Sequence, residues 1–129
     1  MKKLVLAIAL IITLLPSCTK YKDGPKISLR TRMDRITGNW TIESATFNGT
    51  DITGFYDKAQ KFTILKKRWG YDGDYGSWTM GEDGDDATFN SDIAGHQAMT
   101  YRLLRLKNTE LWMKYTATNG DVTELHFKQ

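Results

Sequence analysis

The sequence predicts an all-β domain, a barrel or a sandwich of seven or eight short strands preceded by a short helix. From residue 38 onward, apolar and polar residues alternate with period two over short runs, a pattern typical of strands with one buried face. Asn-Gly and other tight-turn residues separate several of these runs, and no crossover helix lies between them. Consecutive strands joined in this way pair antiparallel.

The first 17 residues are predicted to be a signal peptide. Lys2 and Lys3 precede an apolar run, residues 4–15, which has the layout of an export signal and is too short to span a bilayer of about 30 Å. The next residues, Leu15-Pro16-Ser17-Cys18, resemble the lipobox of bacterial lipoproteins. That resemblance implies cleavage before Cys18 and acyl chains, such as palmitate, that hold the protein to a membrane. The alternative is an ordinary signal peptide with an incidental cysteine.

The mature chain is expected in the cell envelope. An aspartate directly after the cysteine would resemble an inner-membrane retention signal. This chain has Thr19 at that position, so the analogy favours the outer membrane. Cys18 is the only cysteine, which excludes an intramolecular disulfide. Loss of Lys2 and Lys3 lowers the formal charge from +3 to +1 and removes the electrostatic argument for a nucleic-acid partner. We predict a lipidated tether at residues 18–28 and one domain at residues 29–129.

Helical spacing of apolar residues predicts a short amphipathic helix within residues 27–36, ending before Gly38. Its apolar positions are Leu29, Met33 and Ile36, and Arg30, Arg32 and Arg35 lie between them. The arginines are interpreted as a solvated face. A patch for anionic lipid headgroups is the alternative.

Four strands are predicted in the first half of the domain. They cover residues 39–47, 61–69, 75–80 and 86–90. Asn48-Gly49 is a strong hairpin-turn signal after the first strand. Residues 52–59 form a connection, with one possible helical turn bearing Phe55 and Tyr56.

The last third predicts an antiparallel meander of three strands, residues 99–106, 110–118 and 122–128. Polar turns containing Asn and Gly separate them. The alternation slips around Leu103, Leu104 and Leu106, which indicates a β-bulge.

Gly38-Asn39-Trp40, a G-x-W at the start of the first strand behind a short helix, resembles the opening motif of the lipocalins. The region from about Leu29 to Gln129 also resembles the small lipocalin-like domains of Bacteroidota lipoproteins. Its final strand pair matches their pattern with Glu110-Leu111-Trp112-Met113 and Glu124-Leu125-His126-Phe127. The resemblance implies an up-and-down barrel. Only 92 residues remain from Gly38 onward, so the barrel is expected to be squat or partly open.

The expected function is binding of a small apolar ligand inside this barrel, because apolar pockets with few polar groups are how barrels hold ligands. The predicted ligand contacts are the inward-facing residues of the strands. They are Trp40, Phe62, Ile64, Trp78, Met80, Leu111, Met113, Tyr115 and Phe127.

The pattern predicts no catalytic residues, no cofactor and no metal site. His96 and His126 adjoin no serine or acid in a recognisable nucleophile arrangement, and His126 is expected to point to solvent. The acidic turns at residues 72–74 and 82–86 leave calcium open as an alternative, although their spacing misses the EF-hand template.

Aromatic residues carry the competing hypothesis, a non-enzymatic interaction module of an envelope complex or a glycan-binding accessory protein. Trp69, Tyr71, Tyr75 and Trp78 lie within ten positions of one another. They are interpreted either as a platform for sugars or as core and rim, with Trp69 the residue most expected to be exposed. Trp112 alternates with Leu111 and Met113 and is expected to face outward, where a partner contacts it.

Overall fold

The structure, a computed structural model, describes residues 30–129 and is an eight-stranded, closed, antiparallel barrel. The barrel prediction is thereby confirmed, including the up-and-down strand order. The sandwich alternative is wrong, because the last strand pairs with the first and closes the sheet. The predicted signal peptide, Cys18, the predicted tether and the first residue of the predicted domain, Leu29, lie outside the described residues. No helix among residues 30–129 is long and apolar enough to cross a membrane.

Residues 30–129 form one short helix and nine strands, and a 3-10 turn at Thr53–Phe55 lies between the second and third strands. The elements are α1 (Arg32–Ile36), β1 (Gly38–Phe47), β2 (Thr50–Asp51), β3 (Lys61–Ile64), β4 (Arg68–Tyr71), β5 (Asp74–Met80), β6 (Asp86–Ser91), β7 (Met99–Leu106), β8 (Glu110–Thr116) and β9 (Val122–Lys128). The two-residue β2 pairs only with the end of β1. The remaining eight strands form the barrel.

Strand β1 closes the barrel by pairing with two neighbours. Its first half pairs with β3, and its second half pairs with β9. A register shift between Ile42 and Ser44 places Glu43 in a bulge, so that Ile42 and Ala45 both face the core. A second shift between Leu103 and Arg105 does the same for Leu103 and Leu106 in β7 and confirms the predicted bulge. An extra residue in one strand resets the alternation of faces.

The Asn48-Gly49 turn is confirmed as a tight hairpin turn. Both residues have positive φ, 47° and 81°, as the type I′ turn requires. The Asn48 side chain also joins this turn to the β8–β9 turn, because its Oδ1 accepts a 2.8 Å hydrogen bond from the Val122 backbone N–H and its Nδ2 donates to Asp121 Oδ1.

The single strand predicted at residues 61–69 is wrong, because this segment is a hairpin of β3 and β4 that turns at residues 65–67. The turn carries Leu65-Lys66-Lys67 and contains no Gly, Pro, Asn or Asp, so it lacks the residues that mark turns in a sequence. The strand predicted at residues 110–118 is β8, which ends at Thr116.

Helix α1 closes one end of the barrel. Thr31 caps its N-terminus by accepting from the Asp34 backbone N–H. Ile36 is fully buried, and the Arg35 Nη1 donates a 2.9 Å hydrogen bond to the Leu106 carbonyl. The solvated-face interpretation is therefore wrong for Arg35, which is 9% exposed. Met33, predicted on the apolar face, is partly exposed.

The antiparallel order gives the barrel two different ends. The closed end carries α1 and the turns at residues 65–67, 81–85 and 107–109. The opposite end, called the open end below, carries the connection 52–60 and the turns at residues 72–73, 92–98 and 117–121. The buried core fills the half beside α1, where Trp40, Ile64 and Leu111 are fully buried.

Candidate functional site

A cavity of about 230 Å³ lies inside the barrel toward the open end. Its walls are mostly aromatic, and its polar groups lie where the strands reach that end. The aromatic lining residues are Tyr56, Phe62, Trp69, Tyr71, Phe89, Tyr101 and Phe127; the others are Met99, Met113, Leu125, Asp74, Ser91 and Gln97.

Phe62 is the centre of the aromatic wall. Its ring centroid lies 5.3 Å from that of Phe89, 5.4 Å from Phe127 and 6.3 Å from Trp69. The contacts with Phe89 and Trp69 are edge-to-face, which is a favourable arrangement because the positive edge of one ring meets the negative face of another. These rings come from β3, β4, β6 and β9, so four strands fix the wall.

Trp69 faces the cavity and is half-buried, so its predicted exposure is wrong. Its Nε1 donates a 3.1 Å hydrogen bond to the Asn90 carbonyl. Gly76 lies opposite Trp69 on β5, and a Cβ added there would meet the Asn90 carbonyl oxygen at 1.7 Å. Only glycine fits at this position, and it allows β5 and β6 to approach closely beside the Trp69 indole.

The polar rim contains a cluster made by Asp74, Ser91 and His96. Asp74 Oδ1 accepts hydrogen bonds from the Ser91 Oγ at 2.5 Å and from the Tyr75 backbone N–H at 2.8 Å. Asp74 Oδ2 lies 3.0 Å from the His96 Nδ1. Chiefly because Ser91 donates to it, the Asp74 carboxyl has a pKa below its usual value and is ionised at neutral pH.

This cluster differs from a nucleophile site although it contains Ser, His and Asp. The same nitrogen, His96 Nδ1, lies 3.4 Å from Ser91 Oγ and 3.0 Å from Asp74. A serine–histidine–aspartate triad uses the two ring nitrogens separately, one for the serine and one for the acid. The Ser91 hydroxyl donates its hydrogen bond to Asp74 at 2.5 Å and lies farther, at 3.4 Å, from the imidazole nitrogen.

The nine predicted ligand contacts fall into two groups, which lie at different positions along the barrel axis. Phe62, Met113 and Phe127 line the cavity. The other six belong to its surroundings: Trp40, Ile64, Trp78 and Leu111 are buried core residues, Met80 packs against that core, and Tyr115 contacts the ring of Tyr101. Trp40 Nε1 donates a hydrogen bond to the Ile36 carbonyl, and Trp78 Nε1 donates one to the Leu65 carbonyl. These bonds hold both indoles toward the closed end of the barrel.

Trp112 faces outward as predicted, but its predicted exposure is wrong. The Arg105 guanidinium lies 3.8 Å from the ring centroid on one side. The His126 ring stacks on it with centroids 4.0 Å apart and planes inclined by 2°. His126 is therefore partly covered rather than open to solvent, and its Nε2 lies 2.6 Å from Glu124 Oε1.

The aromatic cluster proposed as a sugar platform does not form one surface. Trp78 is in the core, Trp69 and Tyr71 line the cavity, and Tyr75 is 52% exposed. In the part of the chain that the structure describes, no group of three or more His, Cys, Asp or Glu side chains is placed to hold a metal ion.

A scan against protein-family models found no family that matches this chain. A search of curated proteins found no significant match either. The cavity and its rim are therefore the observations on which a function is argued.

Proposed function

We propose that this chain is a lipid-anchored lipoprotein of the cell envelope, with a lipocalin-like barrel that binds a small apolar ligand in the open-end cavity. The observation that carries the proposal is the aromatic cavity itself. A barrel of this size can fill its interior with side chains. Here the half beside α1 is filled, and the other half encloses about 230 Å³.

The size of the cavity limits the ligand. Ligand pockets commonly measure about 300–1,000 Å³, so this cavity suits a molecule of about one ring or a short chain, with any larger part outside the barrel. Aromatic walls favour a flat or ring-shaped apolar group, because offset and edge-to-face contacts add to the gain from burial. Asp74, Ser91 and Gln97 supply the few polar contacts that orient such a ligand.

The anchor is supported by the sequence before the barrel. A signal-peptide pattern ends at Leu15-Pro16-Ser17-Cys18, and Cys18 is the only cysteine of the chain. Two or more acyl chains hold a protein stably where one chain binds reversibly.

A binding role without catalysis is supported by the rim geometry. Ser91 and Asp74 approach the same nitrogen of His96, whereas in a hydrolase triad the serine and the acid contact different ring nitrogens. Its hydrogen bonds instead fix the Asp74 carboxylate at the cavity.

The test is native mass spectrometry of the full chain, extracted gently from its host envelope. We expect a reproducible added mass that disappears on denaturation. The matched variants are Leu125→Trp, which places an indole in the cavity, and Leu65→Trp, which makes the same change at an exposed position of the closed end. Leu125→Trp should lose the added mass, and Leu65→Trp should keep it.

Circular dichroism of both variants controls for folding, since overpacking costs about 1–3 kcal/mol where no space exists. An added mass that survives in folded Leu125→Trp would contradict binding inside the barrel. A bare protein mass in the wild type would contradict the carrier proposal and favour a protein partner.

A further inference from the structure

The charge on the cavity lining is negative. Among the described residues that line the cavity, Asp74 is the only one with a full charge, and no lysine or arginine is among them. Its ionised state follows from the hydrogen bonds it accepts, first of all from Ser91. The histidine that contacts it, His96, lies outside the lining and carries a positive charge only when protonated.

Asp74 retains capacity for one further donor. A carboxylate offers about four acceptor sites. Ser91, Tyr75 and His96 occupy three of these sites. The side chain is 29% exposed and lines the cavity, so a ligand there can reach the remaining site. A ligand that brings an N–H donor would complete the acceptor shell of this carboxylate.

The aromatic walls favour the same kind of ligand. The faces of Phe, Tyr and Trp rings carry negative potential, and cations within about 6 Å of a ring centroid are attracted to it. The rings around Phe62 lie close together, with the Trp69 and Phe89 centroids 5.8 Å apart. An ammonium group beside Asp74 would meet a carboxylate in a cavity whose walls are mostly aromatic, and the apolar remainder of the ligand would lie among the rings.

We infer that the cavity selects a small organic cation, an amine with an aromatic or short aliphatic body, which Asp74 pairs with at the rim. This inference rests on the proposed ligand-binding function and names the ligand class. Anionic ligands such as fatty acids are disfavoured, because their carboxylate would face Asp74 without a positive side chain in the lining.

The test compares three probes of similar size and different charge by isothermal titration calorimetry. They are phenethylamine, 2-phenylethanol and 3-phenylpropionate, titrated at neutral pH into the full-length protein in zwitterionic lipid nanodiscs, with empty nanodiscs as the blank. A charge-assisted hydrogen bond in a partly exposed site predicts that the amine binds about tenfold more tightly than the alcohol. The carboxylate should bind most weakly.

Matched variants locate the effect. Asp74→Asn removes the charge at the rim and should bring the amine to the affinity of the alcohol. Asp72→Asn makes the same change two residues away, at an exposed turn position outside the lining, and should keep the preference. Asparagine is tolerated at Asp72, where φ is 48°.

The outcomes separate the inference from the proposed function. If the three probes bind equally, or the carboxylate binds best, the charge inference is overturned while the cavity remains a binding site. If none binds, both are overturned. A preference for the amine that persists in Asp74→Asn would also overturn the inference. The ranking in the wild type does not depend on how well any variant folds.

Discussion

Trp40 and Trp112 provide a matched test of how the closed end is held together. Trp40 is fully buried, and its Nε1 donates a 2.8 Å hydrogen bond to the Ile36 carbonyl at the C-terminus of α1. Helix C-termini leave carbonyls without partners inside the helix, so this bond satisfies a buried acceptor. The Nε1 of Trp112 is buried and has no hydrogen-bond partner within residues 30–129.

The same substitution, Trp to Phe, should therefore cost different amounts at the two positions. Trp40→Phe leaves the Ile36 carbonyl unsatisfied, at about 1–3 kcal/mol, and opens a small void worth about 1 kcal/mol more. We expect a loss of about 2–4 kcal/mol in the free energy of unfolding. Trp112→Phe removes no hydrogen bond and only weakens the stacking with Arg105 and His126, so it should cost about 1 kcal/mol or less.

Urea unfolding followed by far-ultraviolet circular dichroism measures both free energies without depending on tryptophan fluorescence. The slope against urea should stay the same in both variants, since a change in slope would indicate a change in the unfolded or native ensemble. The reasoning is refuted if Trp112→Phe costs as much as Trp40→Phe.

Three further predictions concern a turn, a buried phenol and the anchor. Gly49 has φ of 81° with open space around its Cα, so Gly49→Ala should destabilise by about 1 kcal/mol through backbone strain alone, whereas Gly54→Ala, without positive φ, should be neutral or slightly stabilising in thermal unfolding. Burial raises the pKa of Tyr101 from 10.0 to about 12. Its contribution to stability is therefore fully present below pH 10 and is lost as the pH rises to about 12, an effect of about 2–3 kcal/mol that Tyr101→Phe should reduce. Cys18→Ala should abolish incorporation of radiolabelled palmitate and release the protein from membranes.

Each of these has an outcome that contradicts it. Equal effects of the two glycine substitutions would remove the argument from positive φ at Gly49. An alkaline unfolding curve that is unchanged in Tyr101→Phe would assign the loss to other groups. Palmitate incorporation that persists after Cys18→Ala would contradict the lipoprotein proposal.

The strands at the two ends of the domain could be predicted because local signals agree there. In β1 the alternation around Trp40 and Ile42 leads directly into Asn48-Gly49, and β7 to β9 are separated by short polar turns. Even the bulge in β7 was visible, since Leu103, Leu104 and Leu106 break the period of two. Periodicity and turn chemistry depend only on residues that are close in the chain, so they can be recognised from the sequence alone.

The orientation of Trp69 could not be predicted because the preceding turn was invisible. In one continuous strand, the even-numbered positions Phe62 and Ile64 would share a face, and Trp69 would lie on the other. The hairpin at residues 65–67 interrupts the strand and resets the alternation, so Trp69 pairs with Ile64 and faces inward. Because the turn was not predicted, the Trp69 indole was expected at the surface, whereas it forms part of the cavity wall.

The sequence predicted which residues face the interior of the barrel, but not which of them border the cavity. Alternation identifies which residues point inward, and Trp40 and Leu111 do so as surely as Phe62 and Met113. Which of them border empty space depends on packing along the barrel axis: among the described residues, Ile36 of α1 joins the buried core at the closed end, and the cavity lies toward the other end. The partial burial of Trp112 could not be predicted for the same reason, since the residues that cover it, Arg105 and His126, lie on the neighbouring strands β7 and β9.

The position of the cavity also bears on where its ligand comes from. Residue 30, where the described chain begins, leads directly into α1 at the closed end, and the cavity opens at the other end. If Cys18 carries the proposed anchor, the 12 residues from Cys18 to Arg30 can span at most about 43 Å, at about 3.6 Å per residue, and the chain enters the barrel at its closed end. The cavity opens at the opposite end, so a ligand reaches it from the side of the domain away from α1. Asp74 lines the cavity there, and its negative charge favours a cationic ligand.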